Sequence, residues 1–222
     1  MKEITIVIFA KAPRAGEVKT RLIPALGPEG AALLAQRLLH HAIEQALAAD
    51  VGRVELCRTP DDERTWAEIA VPSIVAQSRQ GAGDLGERLA RASKRVIDTG
   101  SAVLLIGTDC PALDARSLRL LASGLEMADA AIAPAVDGGY VALALKRYHP
   151  RLFERIDWST STVAAETLRR LEELGWPTRQ LPAMHDIDEP QDLQWLPPEW
   201  PEARFSLENR SSFETAAKNR KH

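Results

Sequence analysis

The chain has 222 residues, 45% of them hydrophobic, with 28 Lys and Arg set against 31 Asp and Glu, which is the profile of a globular domain rather than a disordered or fibrous chain. At this size folding hides roughly 70% of the unfolded surface, so the core needs no staples. The net charge of −3 lacks the basic excess of a nucleic-acid-binding domain. The longest apolar run, residues 4–10, is far short of the roughly 18 residues of a membrane span.

Cys57 and Cys110 stand far apart, each beside an apolar run. They form neither a disulfide framework nor a zinc ligand set, and read as buried small hydrophobes in a reducing compartment. The first apolar run followed by Ala10-Lys11-Ala12 imitates a secretory leader. Its core is at the minimum length, Glu3 offsets Lys2, and a lysine interrupts the cleavage triplet, so a cytoplasmic location is expected.

Ile4–Phe9 is a continuous β-branched run, as in a strand covered on both faces. Residues 10–27 carry Gly, Pro and several cations and predict a long loop. Pro28 opens a helix to Ala49, with Leu34, Leu38, Ile43 and Leu47 on one face. Val54–Cys57 is the second strand, and Thr59-Pro60-Asp61-Asp62 caps a short helix through Trp66 to Ala70. Ser73–Ala76 reads as the third strand, followed by a polar loop over residues 77–83. Asp84 starts a helix to Asp98, and Val103–Ile106 is the strand with the most buried character. Asp114 caps a helix to Glu126. Ala130–Ala133 and Tyr140–Leu145 are strands flanking Asp137-Gly138-Gly139, and a helix over 161–174 is closed by Gly175. Residues 180–181 suit a last strand and 188–195 a short terminal helix. Strands alternating with helices of roughly 12–20 residues predict an α/β fold with helices on both faces of the sheet. From Pro197 onward apolar periodicity vanishes, and residues 197–222 are expected to form a mobile or loosely docked tail after a domain of residues 1–196.

In such sheets ligands bind beyond the carboxyl ends of the strands, and three segments there carry chemistry. The first holds Lys11, Arg14, Lys19 and Arg21 around Gly16; arginine forks and lysine point charges suit a polyphosphate, and the alternative is a solvated basic loop. Lys19-Thr20 imitates a Walker loop, but Val18 stands where that motif needs glycine. The second is Gly107-Thr108-Asp109-Cys110-Pro111. A carboxylate at the end of a buried strand needs compensation, which Mg²⁺ or Mn²⁺ on diphosphate oxygens would give; the alternative is a turn or helix cap. The third is His185-Asp186-Ile187-Asp188-Glu189-Pro190, whose crowded carboxylates suit a cation or, alternatively, an Asx turn and cap. His185 is more readily a structural histidine than a metal ligand.

The runs FAKAPRAGEVKTRLIPALG (9–27), GDLGERL (83–89), IGTDCPAL (106–113), DGGYVALAL (137–145), WSTS (158–161) and DIDEPQDL (186–193) together resemble the bacterial glycosyltransferase-like family associated with arsenosugar biosynthesis, within the nucleotide-diphospho-sugar transferase superfamily. They are also similar to guanylyltransferases such as 2-phospho-lactate guanylyltransferase. The resemblance spans residues 4–195. It implies a GT-A, Rossmann-like αβα sandwich with a mostly parallel sheet. It also implies a metal-dependent transferase using a nucleotide-activated donor, with glycosyl transfer from a nucleotide sugar ahead of nucleotidyl transfer from an NTP. A non-catalytic nucleotide-binding subunit is the third reading. The donor's nucleotide and phosphates would meet Ala10, Lys11, Arg14, Gly16, Lys19, Arg21 and Asp84. Asp109 and Asp188 would hold Mg²⁺ or Mn²⁺; Asp109 and Asp137 would serve catalysis, Asp137 by contacting sugar or small-molecule acceptor hydroxyls, the alternative being that it is a hairpin residue of the Asp-Gly turn. Ala144 replaces a glycine of the family pattern, which bears on the acceptor side. Ser159 and Thr160 are expected to cap the helix that follows them.

Overall fold

The computed structural model describes residues 3–203. The chain divides into two compact units, one of Met1–Ala12 and Leu38–Asp186, the other of Pro13–Arg37 and Ile187–His222.

The first unit holds a seven-stranded sheet: β1 (Ile4–Lys11), β2 (Gly52–Thr59), β3 (Ala76–Arg79), β4 (Ala102–Ile106), β5 (Ala130–Pro134), β6 (Tyr140–Leu145) and β7 (Thr178–Gln180). Their order is β3-β2-β1-β4-β6-β5-β7. All run parallel except β6, which is antiparallel to both neighbours. The helices are α1 (Ile23–Ala49), which carries the chain from the second unit into the first, α2 (Glu63–Trp66), α3 (Leu85–Asp98), α4 (Ala115–Met127) and α5 (Val163–Glu173).

Strand alternation sorts the core into two faces. Ile4, Ile6 and Leu104 pack with Leu39 and Ile43 of α1 and Leu118 of α4. Val7, Val103 and Leu143 pack with Leu89 of α3 and Leu171 of α5. Because helices cover both faces, the central strands read as unbroken apolar runs, and each fully buried Ile or Leu contributes roughly 1.5–3 kcal/mol. The result is the αβα sandwich with a mostly parallel sheet. Among the described residues no helix is long and apolar enough to cross a membrane.

Three local expectations shift. The third strand is Ala76–Arg79 and not Ser73–Ala76: an edge strand faces water and so reads as polar, whereas the apolar Val75 sits in a turn (Val75 N–H to Pro72 carbonyl, 2.9 Å) and packs into the core. Neither Ser159 nor Thr160 caps α5; Thr162 is the N-cap residue, without a side-chain cap bond, and the Ala164 N–H donates instead to the Gly138 carbonyl at 2.9 Å. Ala144 is fully buried in the middle of β6, so it is a core packing residue and lines no surface.

In the second unit, Thr20–Leu22 forms a 3-10 turn. Gly27 (φ 71°) breaks α1 just before Pro28, where a proline-led helix start is expected. Pro190–Trp195 and Pro201–Ala203 form further 3-10 turns. Arg37 pairs with Glu202 at 3.2 Å and stacks 5.7 Å above the Trp200 ring. Of the expected tail over residues 197–222, residues 204–222 lie outside the described residues.

Candidate functional site

Strands β1, β2 and β3 progress to one side of β1, and β4 lies on the other. The order therefore reverses between β1 and β4, and a crevice opens there beyond their carboxyl ends. The β1 register with β4 ends at Ile8↔Ile106, so Ala10 and Lys11 extend past the end of β4, beside the loop Gly107–Pro111. Ala10 is buried and Lys11 exposed. The Gly107 N–H donates to the Val141 carbonyl at 3.3 Å, and Ala135 bridges to Met184. Asp137 and the pair His185–Asp186 thereby come to the same end of the sheet.

Asp109 is the informative residue here. The α4 cap is Asp114, whose carboxylate accepts the Ser117 N–H at 2.8 Å, so the helix-cap alternative for Asp109 does not hold. Thr108 Oγ1 approaches its Oδ1 at 3.4 Å. Next to it, burial above all pushes the Cys110 thiol up to about 11; the N–H groups of Leu113 and Ala112 oppose this, and the charges of Asp186 and Asp109 add to it. Cys110 is thus a protonated, buried thiol at neutral pH and no nucleophile. The charge of Asp186, like that of Asp109, reaches this thiol.

The other expected residues are more structural. One oxygen of Asp137 accepts the Gly139 N–H at 2.8 Å in an exposed turn. Gly138 has φ +95°, and a Cβ there would stand 2.0 Å from the Ser161 carbonyl oxygen. Asp84 is spent on a capping box: it accepts the Glu87 N–H at 2.8 Å, while Glu87 accepts its N–H at 2.9 Å. Gln80, which nothing in the sequence singles out, is buried and donates to the carbonyls of Ala10 (3.1 Å) and Cys57 (3.0 Å). Arg91 and Arg88 bind the carbonyls of Gln80, Ala82 and Gly83, fixing the loop that enters α3.

In the second unit the expected phosphate-binding cations meet carboxylates of their own chain. Lys19, only 7% exposed, donates to the Ile187 carbonyl at 2.6 Å and to Asp188 Oδ1 at 2.9 Å. It does so from a left-handed backbone (φ 46°, ψ 40°), a conformation that non-glycine residues adopt only when their surroundings impose it. Arg21 lies 3.3 Å from Glu189, and Arg14 lies 3.8 Å from Glu17. Gly16 has φ +78°, which its turn requires. Asp109 and Asp188 belong to different units, and among the described residues no group of three or more His, Cys, Asp or Glu is set to hold a metal ion.

A model of the bacterial family DUF2064, described as uncharacterized, matches residues 42–160. No curated protein matches the chain. Among solved structures, the chain is similar to a candidate nucleotide-diphospho-sugar transferase from Desulfovibrio desulfuricans G20, at 28% identity and a TM-score of 0.83 over 95% of this chain and 96% of that one. It shares its fold with Rv0371c of Mycobacterium tuberculosis H37Rv in complex with manganese (16% identity, TM-score 0.52, 93% and 98% covered). It likewise shares it with CMP:2-keto-3-deoxy-manno-octonic acid synthetase in complex with CTP (16% identity, TM-score 0.55, 93% and 99% covered). With more than half of its length matched by the family model, the chain belongs to the DUF2064 family.

Proposed function

We propose that this protein is a transferase acting on a nucleotide-activated donor, with glycosyl transfer from a nucleotide-diphospho-sugar as its reaction. The observation that carries this reading is Asp109, which stands in the loop at the reversal of strand order and is not the α4 cap. The likeness to the candidate nucleotide-diphospho-sugar transferase, covering nearly all of both chains, supports it.

The donor set fits a hard divalent cation. Asp109 and Asp186 both act on the Cys110 thiol, and Mg²⁺ or Mn²⁺ is ordinarily held by one or two carboxylates, its other positions filled by water and substrate phosphates. When bound, such an ion would offset the charge of the departing nucleoside diphosphate. The chain's own residues would do the rest. Lys11 draws the donor's negative charge to the strand end. Asp137 contacts acceptor or sugar hydroxyls through the oxygen not engaged in its turn. Gln80 holds the Ala10 carbonyl, and with it the start of the loop. We also assign polyphosphate binding to Arg14, Lys19 and Arg21 of the second unit.

The test is a thermal-shift panel of UDP, GDP and CDP ligands and their sugar conjugates, with and without Mg²⁺ or Mn²⁺, followed by phosphorus NMR. Ligand binding stabilises by mass action, so a nucleotide should raise the melting temperature, and more so with metal. A nucleotide sugar should then slowly yield nucleoside diphosphate by transfer to water. Pyrophosphate released from an NTP as the sole product would replace glycosyl by nucleotidyl transfer. No shift with any nucleotide at millimolar concentration would end the transferase reading.

A further inference from the structure

The second unit joins two stretches of opposite character. Between Ile187 and Ala203 there are five carboxylates and no Lys or Arg, whereas Pro13–Arg37 has four cations and two acids. Among the described residues the ion pairs between them run one way, from a cation of the first stretch to a carboxylate of the second: Lys19 to Asp188 at 2.9 Å, Arg21 to Glu189 at 3.3 Å and Arg37 to Glu202 at 3.2 Å. Asp188 and Glu189 are held ready for this. The carboxylate of Asp192 accepts both of their N–H groups, at 3.1 and 2.7 Å, and fixes the backbone that carries them.

We propose that Asp188 and Glu189 form an internal anion, occupying the cations of the 19–21 turn in place of the oxygens of a polyphosphate, which must displace them to bind. The proposal rests on the reading of Lys19 and Arg21 as phosphate-binding residues. The two pairs differ in how readily they yield. Arg21 and Glu189 have side chains 68% and 41% exposed, and an exposed pair is weak and screened by salt. Lys19 is enclosed and holds the Ile187 carbonyl as well as Asp188, so this pair yields only to a ligand with enough charge to replace it. The arm therefore acts as a threshold. A single phosphate competes with one carboxylate at a time, while a diphosphate or triphosphate carries enough linked charge to replace both.

The test is calorimetric titration of the full chain with inorganic pyrophosphate at low ionic strength, with EDTA present to remove divalent cations. Removing like charge beside an anion site strengthens binding. Glu189→Gln should tighten pyrophosphate binding about threefold and the double variant Asp188→Asn/Glu189→Gln about tenfold, while Arg21→Met should weaken it. The single Glu189→Gln variant, at an exposed position, keeps the test valid if the double variant unfolds, and unfolding midpoints are recorded for each. Unchanged or weaker pyrophosphate binding in Glu189→Gln would overturn the internal anion, as would no binding of pyrophosphate to any variant. Either outcome is distinct from failure of the transferase reading, which is judged by the nucleotide panel on the unaltered chain.

Discussion

The buried side-chain amide of Gln80 donates to the backbone carbonyl of Ala10 at 3.1 Å, fastening the loop after β3 to the end of β1. The same amide reaches the Cys57 carbonyl of β2, so one side chain holds three strand ends together. A leucine there would strip each carbonyl of the hydrogen bond it accepts beyond the β1–β2 ladder, two bonds each worth roughly 0.5–1.5 kcal/mol net. Gln80→Leu should lower stability by about 2 kcal/mol in urea unfolding and weaken nucleotide binding as well. Gln80→Glu should be worse, since it sets a carboxylate against two carbonyl oxygens.

Glu55, buried on β2, is gripped by both terminal nitrogens of Arg95 from α3, one of them at 2.9 Å, and accepts the Ser78 hydroxyl. Removing one partner of a buried pair costs more than removing both. Arg95 is 44% exposed, so water softens the loss: Arg95→Met should cost about 2 kcal/mol. Glu55→Leu/Arg95→Met should recover part of it. Equal costs in the single and double variants by urea titration would show that the pair does not bear on stability.

Glu166 supplies a pH signature. Hydrogen bonds from Arg169 and then Arg170 hold its carboxyl down to about 2, below the ordinary 4.5. A folded-state value below the unfolded one means that the contribution is complete above about 4.5 and fades as pH falls toward 2. Glu166→Gln should therefore flatten the loss of stability across that window and leave its slope near neutral pH unchanged. Urea midpoints at several pH values read this directly; parallel curves for the two proteins would refute it.

Much of this fold is legible in the residues themselves. Buried strands such as β4 advertise their place because both faces are covered, and Asp84 and Asp114 announce helix starts because capping chemistry is local. The edge strand β3 does not: its residues face water, so its pattern is that of a loop. Of the candidate site, only what local sequence carries is legible. Asp109 follows from a carboxylate placed after an apolar run. That Lys19 and Asp188, 169 residues apart, neutralise each other is a tertiary fact that neither local segment contains. Gln80 is one polar residue in a polar stretch, and only the convergence of three strand ends gives it a role.

Glycines at the turns offer a paired comparison. Gly138 combines φ +95° with a Cβ position 2.0 Å from the Ser161 carbonyl oxygen, whereas Gly175 has φ +65° with open space around it. Gly175→Ala should cost only the left-handed backbone, about 1 kcal/mol. Gly138→Ala should cost roughly 3 kcal/mol and loosen the start of α5, which hydrogen exchange at Ala164 would show. Equal costs at the two positions would mean that the turn at residues 137–139 yields without disturbing the helix.

Substitution of Asp109 separates scaffold from site. Asp114 and not Asp109 caps α4, and Asp109→Asn should keep the far-UV circular dichroism of the parent. If Asp109 and Asp186 hold a divalent cation, either Asn variant should weaken Mn²⁺ binding, followed by paramagnetic resonance of the unbound ion, by roughly tenfold or more. The metal-dependent part of the nucleotide thermal shift should fall with it. The Cys110 thiol reports the same geometry in another way: with one neighbouring negative charge removed, its apparent pKa should drop and alkylation at mildly alkaline pH should quicken. Faster alkylation with unaltered Mn²⁺ affinity would leave Asp109 as a neighbour of Cys110 and not a metal ligand. An Asp109→Asn variant that unfolds would instead assign the carboxylate to the scaffold, because a ligand-binding group can be neutralised without loss of the fold whereas a structural one cannot.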